Sequence, residues 1–140
     1  MDVGTLVARS MRRYRDRIAV EGPEGSMTYG EIGSRIFQLA RALKNLGLAE
    51  GDRVLDLQSN QNTYIETDLG ISSAGLCRVA LNYRLHPNDW VRITKDCGAK
   101  TLILDAKFWD DASPVRELVD TVIVIKGDHP GAHNYENFLS

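Results

Sequence analysis

Ala74-Gly75-Leu76-Cys77-Arg78-Val79-Ala80-Leu81-Asn82-Tyr83-Arg84-Leu85-His86-Pro87 is the stretch whose reading decides the fold. Gly75 predicts a helix end, because glycine enters the left-handed conformation of a helix stop without steric cost. Residues 76–81 then predict a short apolar, buried strand. Asn82-Tyr83-Arg84 makes a polar elbow, and Pro87 opens the next helix where its missing N–H costs nothing. A helix–strand–helix passage this short is the core step of an α/β protein with a parallel sheet.

The same alternation continues on both sides. Residues 5–17 predict a first helix, and 18–20 and 26–28 two short strands around Glu21-Gly22-Pro23-Glu24-Gly25. The next helix carries the fullest end signals. Thr28 and Glu31 form a capping box, with Met27 placed to staple onto Ile32. Ile32, Ile36, Leu39, Leu43 and Leu46 follow at helical spacing. Gly47 closes that helix, with Leu48 placed to touch Leu43 in a Schellman-type stop. Residues 52–57 predict a strand, and Asn60 a cap for a helix through Tyr64, Ile65, Leu69 and Ile71.

Beyond Pro87, a helix buries Trp90, Ile93, Thr94 and Cys97 and stops at Gly98. Thr101-Leu102-Ile103-Leu104-Asp105 lacks alternation, as a strand covered on both faces does. Phe108, Trp109, Val115 and Leu118 fall on a helix broken around Pro114, and 121–125 form the last strand. Residues 126–140 read as a partly irregular tail with at most one helical turn. The expectation is an α/β fold over residues 1–140 as one domain. It has a mainly parallel sheet of four strands flanked by helices, and a small accessory strand pair.

Composition bounds the function. The chain has 140 residues, a net charge of −2 and 43% hydrophobic residues, as an ordinary globular domain does, and nothing in it points to nucleic acid. No apolar run is long enough to cross a membrane, and the N-terminus lacks a signal-peptide pattern, so a cytoplasmic location is expected. Cys77 and Cys97 are read as reduced core thiols, and His86, His129 and His133 as solvated, because no zinc-ligand spacing joins them.

Motifs that carry chemistry are mostly missing. No Gly-x-Gly-x-x-Gly, no phosphate-cradling Gly-x-x-x-x-Gly-Lys-Ser/Thr and no Gly-x-Ser-x-Gly elbow occurs. Asp105 follows its strand, where α/β sites form, and Asp110 and Asp111 lie close behind. A helix-capping aspartate and a solvated acidic pair explain them more simply.

The remaining signal is a resemblance. Met27-Thr28-Tyr29-Gly30-Glu31-Ile32 resembles the first core motif of the adenylate-forming (AMP-binding) superfamily, which holds acyl-CoA synthetases, peptide-synthetase adenylation domains and luciferases. Leu46-Gly47-Leu48, ending in Gly51-Asp52-Arg53-Val54, is similar to the same family. The 74–85 passage resembles its second core motif, and Asp96-Cys97-Gly98-Ala99-Lys100 its Asp-Ser-Gly-Ala-Lys run. The pieces lie in order across essentially the whole chain, and Asn82-Tyr83-Arg84-Leu85 leans toward the acyl-CoA synthetase branch. Two departures stand out. Ala80 takes the place of the family's proline, and Gln58-Ser59-Asn60 that of Leu-Pro-Asn.

The resemblance implies the N-terminal part of an ATP-dependent acyl-CoA synthetase, an acid–thiol ligase that makes an acyl-AMP and then a CoA thioester. It implies ATP, Mg²⁺ and CoA for the parent enzyme. The phosphate loop, nucleotide-binding residues and adenylation lysine are expected after residue 140. No catalytic, cofactor-binding or metal-binding residue is therefore carried onto this chain, which is expected to be structural and inactive alone. Its expected partners are the remainder of the same enzyme and, for the parent, a small carboxylic acid.

Two other classes are weighed beside it. One is a free-standing α/β protein-binding or scaffold module without ATP chemistry, and the other a flavodoxin-like nucleotide-binding domain, which no loop here encourages. Arg9, Arg12 and Arg13 share one helix face, beside Arg15 and Arg17, and could meet acidic lipid or substrate phosphates. A solvated face, or one packed on the rest of an enzyme, is the simpler reading.

Overall fold

A computed structural model of the chain describes residues 2–140. They fall into two compact units. The first takes the residues up to Glu50, Asn60–Leu76 and Leu139; the second takes Gly51–Ser59, Cys77–Phe138 and Ser140.

The first unit begins with helix α1 (Val3–Arg13), capped by Asp2, whose carboxylate accepts the Thr5 N–H at 2.7 Å. This helix stops earlier than its pattern predicts. The Gly30 N–H donates to Arg15 O and the Tyr29 N–H to Arg17 O, both at 2.9 Å, so this backbone anchors the start of the next helix instead of continuing its own. Strands β1 (Ile18–Gly22) and β2 (Gly25–Thr28) pair antiparallel around Pro23-Glu24, with Gly25 at φ +113°.

Helix α2 (Tyr29–Asn45) opens with the full capping box. Thr28 Oγ1 accepts the Glu31 N–H at 3.2 Å, and Glu31 Oε2 accepts the Thr28 N–H at 2.8 Å. Its stop uses Gly47 at φ +81°, whose N–H donates to Lys44 O at 3.0 Å.

Between strand β3 (Arg53–Leu57) and strand β4 (Cys77–Ala80) the chain forms helix α3 (Asn62–Ser73). Asn60 does not cap it. Gln61 holds the cap position without a side-chain capping bond to the helix, and the Asn62 amide reaches back to donate to Gly25 O at 3.1 Å. The buried face also differs from the expected one. It carries Asn62, Thr63, Glu66, Thr67, Gly70 and Ile71, whereas Ile65 is exposed and Tyr64 and Leu69 are half-buried. Gly70 explains the choice, since a Cβ there would lie 2.7 Å from Leu39 Cδ2. The bare glycine lets α3 sit close against α2, and the helix turns that side inward. The two-bond Schellman stop occurs here: the Leu76 N–H donates to Ile71 O at 3.2 Å and the Gly75 N–H to Ser72 O at 3.1 Å.

The second unit is built on a five-stranded parallel sheet in the order β4-β3-β5-β6-β7. Its later strands are β5 (Thr101–Asp105), β6 (Thr121–Ile125) and β7 (His133–Asn134). Helix α4 (Pro87–Cys97) precedes β5 and stops at Gly98, φ +69°. Every residue of β5 is buried, as its unbroken apolar run predicts. Between β5 and β6 lie a 3₁₀ turn (Ala106–Phe108) and the short helix α5 (Ser113–Arg116); the segment is broken as expected, but at 109–112, and Pro114 sits in the first turn of α5. Leu55, Leu57, Leu102, Leu104 and Val124 on one face of the sheet enclose a core with Trp90, Ala112 and Val115.

Two readings are corrected here. β4 is an edge strand with Cys77 and Ala80 exposed, so it is not a buried strand. The tail is also more ordered than its turn-rich sequence implies. β7 pairs parallel with β6, and helix α6 (Tyr135–Leu139) follows, capped by Asn134 accepting the Asn137 N–H.

Candidate functional site

In open α/β sheets ligands gather at the carboxyl ends of the strands, and several polar side chains of the second unit follow its strands there. Gln58 and Ser59 follow β3, Asn82 follows β4, and Lys107 follows β5. Lys107 Nζ donates to Ser59 Oγ at 2.6 Å, tying two strand ends together, and lies 5.2 Å from the Phe108 ring centroid. Asp105 is buried, and its Oδ1 accepts the Lys107 N–H at 3.0 Å, the capping role its position suggested. Asp110 and Asp111 are exposed.

The strongest electrostatic feature sits deeper, on β3 and β4. In the parallel register Val54 faces Arg78 and Asp56 faces Ala80, so Asp56 and Arg78 share one face of the sheet, offset by two residues. Arg78 Nε donates to Asp56 Oδ2 at 2.7 Å, and Gln58 Nε2 donates to Asp56 Oδ1 at 2.6 Å. Asp56 is only 2% exposed. Both carboxylate oxygens are thus engaged, which ties β3 to β4. Sequence reading missed the trio because its members are joined across strands. The one local hint is Gln58, which departs from the Leu-Pro-Asn pattern.

The elbow after β4 is held equally firmly. The Trp90 indole N–H donates to Asn82 O at 2.9 Å, and Asn82 Oδ1 accepts the Arg84 N–H at 2.9 Å. His86 is not simply solvated, since its Nδ1 accepts the Asn88 N–H at 3.1 Å and so caps α4 ahead of Pro87. His129 is also engaged: its ring stacks on Trp109 at 3.8 Å between centroids and 3° between planes. The Arg116 guanidinium lies 3.9 Å from the same Trp109 ring centroid, which leaves it only the opposite face. The thiols are free, but they are not core thiols; Cys77 is exposed and Cys97 half-buried.

The first unit holds a second set of features. An apolar cleft of about 220 Å³ opens among α1, β1, α2 and α3, lined by Leu6, Met11, Val20, Ile36, Ile65 and Leu69 among others. Arg9, Arg12 and Arg13 are exposed on α1, and none of that helix's residues is buried. The Thr5 N–H bond holds the Asp2 carboxyl below its ordinary range. Glu66, buried on α3, accepts from Arg35 Nε of α2 at 2.7 Å. Among the described residues, no group of three His, Cys, Asp or Glu side chains is gathered as a metal site would require.

The family model for AMP-binding enzymes matches residues 7–138, and the chain belongs to that family. It is 35% identical over 121 residues, 83% of its length, to a 3-hydroxybenzoate/4-hydroxybenzoate–CoA ligase of Thauera aromatica, of which it covers 23%. It is 34% identical over 101 residues, 72% of its length, to a feruloyl-CoA synthase of Amycolatopsis, of which it covers 21%. The chain thus spans about a fifth of the length of these curated relatives. An anthranilate–CoA ligase solved with anthranoyl-AMP shares the fold at a TM-score of 0.92 and 23% identity, over 99% of this chain and 28% of that one.

Proposed function

We propose that the chain forms the N-terminal structural subdomain of an ATP-dependent acid–thiol ligase. That enzyme would activate a carboxylic acid as an acyl adenylate and transfer the acyl group to CoA. The observation that carries this reading is the family match over residues 7–138, together with relatives that are CoA ligases and synthases. The relatives named for hydroxybenzoate and ferulate favour an aromatic carboxylic acid as substrate. The same reading takes the enzyme to be cytoplasmic, where ATP and CoA are at hand.

ATP and Mg²⁺ require phosphate donors and a carboxylate set. The residues in hand do not fit that need: Asp56, Glu66 and Asp105 are each engaged in a hydrogen bond or ion pair, and no metal-ligating group is assembled among the described residues. No catalytic step is assigned to this chain. Its contribution is a scaffold that fixes two strand ends, through Lys107 and Ser59, and an elbow, through Trp90 and Asn82. The remainder of the ligase is its partner.

ATP–pyrophosphate exchange measured with this chain and a panel of hydroxybenzoates, cinnamates and fatty acids tests the assignment. The expected result is no exchange above background. Exchange that depends on one of these acids would overturn the purely structural role.

A further inference from the structure

We propose that the α1 face of the first unit docks on a lipid surface carrying anionic headgroups. Residues 9–17 hold five of the chain's 17 basic side chains and one of its 19 acidic ones, although the whole chain is net negative. Arg9, Arg12, Arg13, Arg15 and Arg17 are all exposed, and no ion pair to a carboxylate engages any of them among the described residues. Within α1 itself the charged side chains are Arg9, Arg12 and Arg13 alone, so the helix carries a single sign, and Arg15 and Arg17 continue it beyond the helix end on either side of Asp16.

Two of the cations are held in place. The Arg13 and Arg17 guanidinium groups lie 5.5 and 5.3 Å from the Tyr14 ring centroid, and Tyr14 itself leans on Tyr29 with centroids 5.8 Å apart. Apolar side chains stand among them. Leu6 shares a helical stripe with Arg9 and Arg13, at i, i+3 and i+7, and is 49% exposed. Ile65, which lines the same cleft as Leu6, is 38% exposed, and Ile18, next to Arg17, is 52% exposed. These are three of the four large hydrophobic residues that are exposed among the described residues.

Cations alone would suit any polyanion. Cations interleaved with exposed aliphatic side chains on a surface helix suit an anionic membrane interface, where headgroups meet the arginines and Leu6 and Ile65 enter the acyl boundary. A nucleic acid or an acidic protein segment would leave those aliphatic side chains in water.

The test uses the full chain and flotation with phosphatidylcholine vesicles, with and without about one-third phosphatidylserine. Binding is expected only to the phosphatidylserine vesicles, and is expected to weaken with added salt. Each cation near such a surface adds about fivefold, so R9Q/R12Q/R13Q should weaken binding about a hundredfold. Leu6→Asn should weaken it about tenfold, and K95Q/K100Q, on the second unit, by less than twofold. Far-UV circular dichroism confirms that the variants, all at exposed positions, remain folded. The proposal is overturned by no binding, by equal binding to phosphatidylcholine alone, or by an unchanged triple variant. It is also overturned if polyuridylate or polyglutamate binds as tightly as the vesicles and Leu6→Asn has no effect, which would assign the face to a polyanion.

Discussion

Replacing Arg78 with methionine should cost this chain more than any exposed charge change, because it leaves the Asp56 carboxylate inside without its cation. The Asp56 side chain is 0% exposed and that of Arg78 12%, with 2.7 Å between Nε and Oδ2. Water therefore replaces the guanidinium poorly. Breaking a buried pair on one side costs about 3–5 kcal/mol. Gln58 still donates to Oδ1 at 2.6 Å, which puts the expected loss near the lower end, about 3 kcal/mol. Unfolding entropy of about 2.1 cal/mol/K per residue makes that a drop of about 10 °C in Tm for a chain of this size.

The partner variant D56L/R78M separates charge from packing. It removes both charges and keeps apolar bulk, so it should return to within about 1 kcal/mol of the parent, about 2 kcal/mol more stable than R78M. Urea unfolding followed by circular dichroism measures all three proteins, with R78M expected to move the midpoint at constant slope. A cost under about 1 kcal/mol for R78M would put the pair among solvent-screened surface bridges and refute the reasoning.

Three further outcomes are expected. Gly70→Val forces a branched side chain where a Cβ already meets Leu39 Cδ2 at 2.7 Å and Leu39 Cβ at 3.2 Å, so it should lose about 1–3 kcal/mol in a thermal melt despite removing a helical glycine. Thr28→Ala removes one half of the capping box and should lose about 1 kcal/mol, seen as faster amide exchange over the first turn of α2. Asp2 is held below its ordinary range by the Thr5 N–H, so its support of α1 is complete at neutral pH and fades as the pH falls through that lowered value. Exchange at the Thr5 amide should therefore accelerate in acid in the parent chain. In Asp2→Asn, which caps without titrating, it should not.

What the sequence showed of the fold depended on how local the physics is. Thr28 and Glu31 are three residues apart and satisfy each other's backbone, so the start of α2 was readable to the residue. Gly75, Gly98 and Pro87 act on their own backbone and were equally plain. β5 announced itself by its unbroken apolar run. Several of the failures involve a distant partner. The first helix ends at Arg13 because Tyr29 and Gly30 claim the carbonyls that follow it, and α3 turns its glycine inward because Leu39 is waiting there. β7 is two residues long and exists only by pairing with β6, so it has no pattern of its own to read.

The same division explains why the chain's affiliation was easier to read than its polar sites. The motifs that resemble the family are helix stops, caps and an elbow, where backbone geometry restricts the residue type, and they survive as words in the sequence. Asp56, Gln58 and Arg78 answer to a different constraint, that a buried charge must be paired. That constraint fixes partners in space and leaves their spacing along the chain open. Arg78 lies 22 residues from Asp56 yet touches it, because one parallel crossover brings β4 beside β3. Ala80 illustrates the difference from the other side. It is the register partner of Asp56 at an exposed edge, and the alanine found where the family has proline leaves the backbone there less restricted. The arginines of 9–17 obey neither constraint. Among the described residues no ion pair to a carboxylate engages their side chains, although Arg15 and Arg17 lend their carbonyls to the start of α2, and those unpaired guanidinium groups are what point to an external surface.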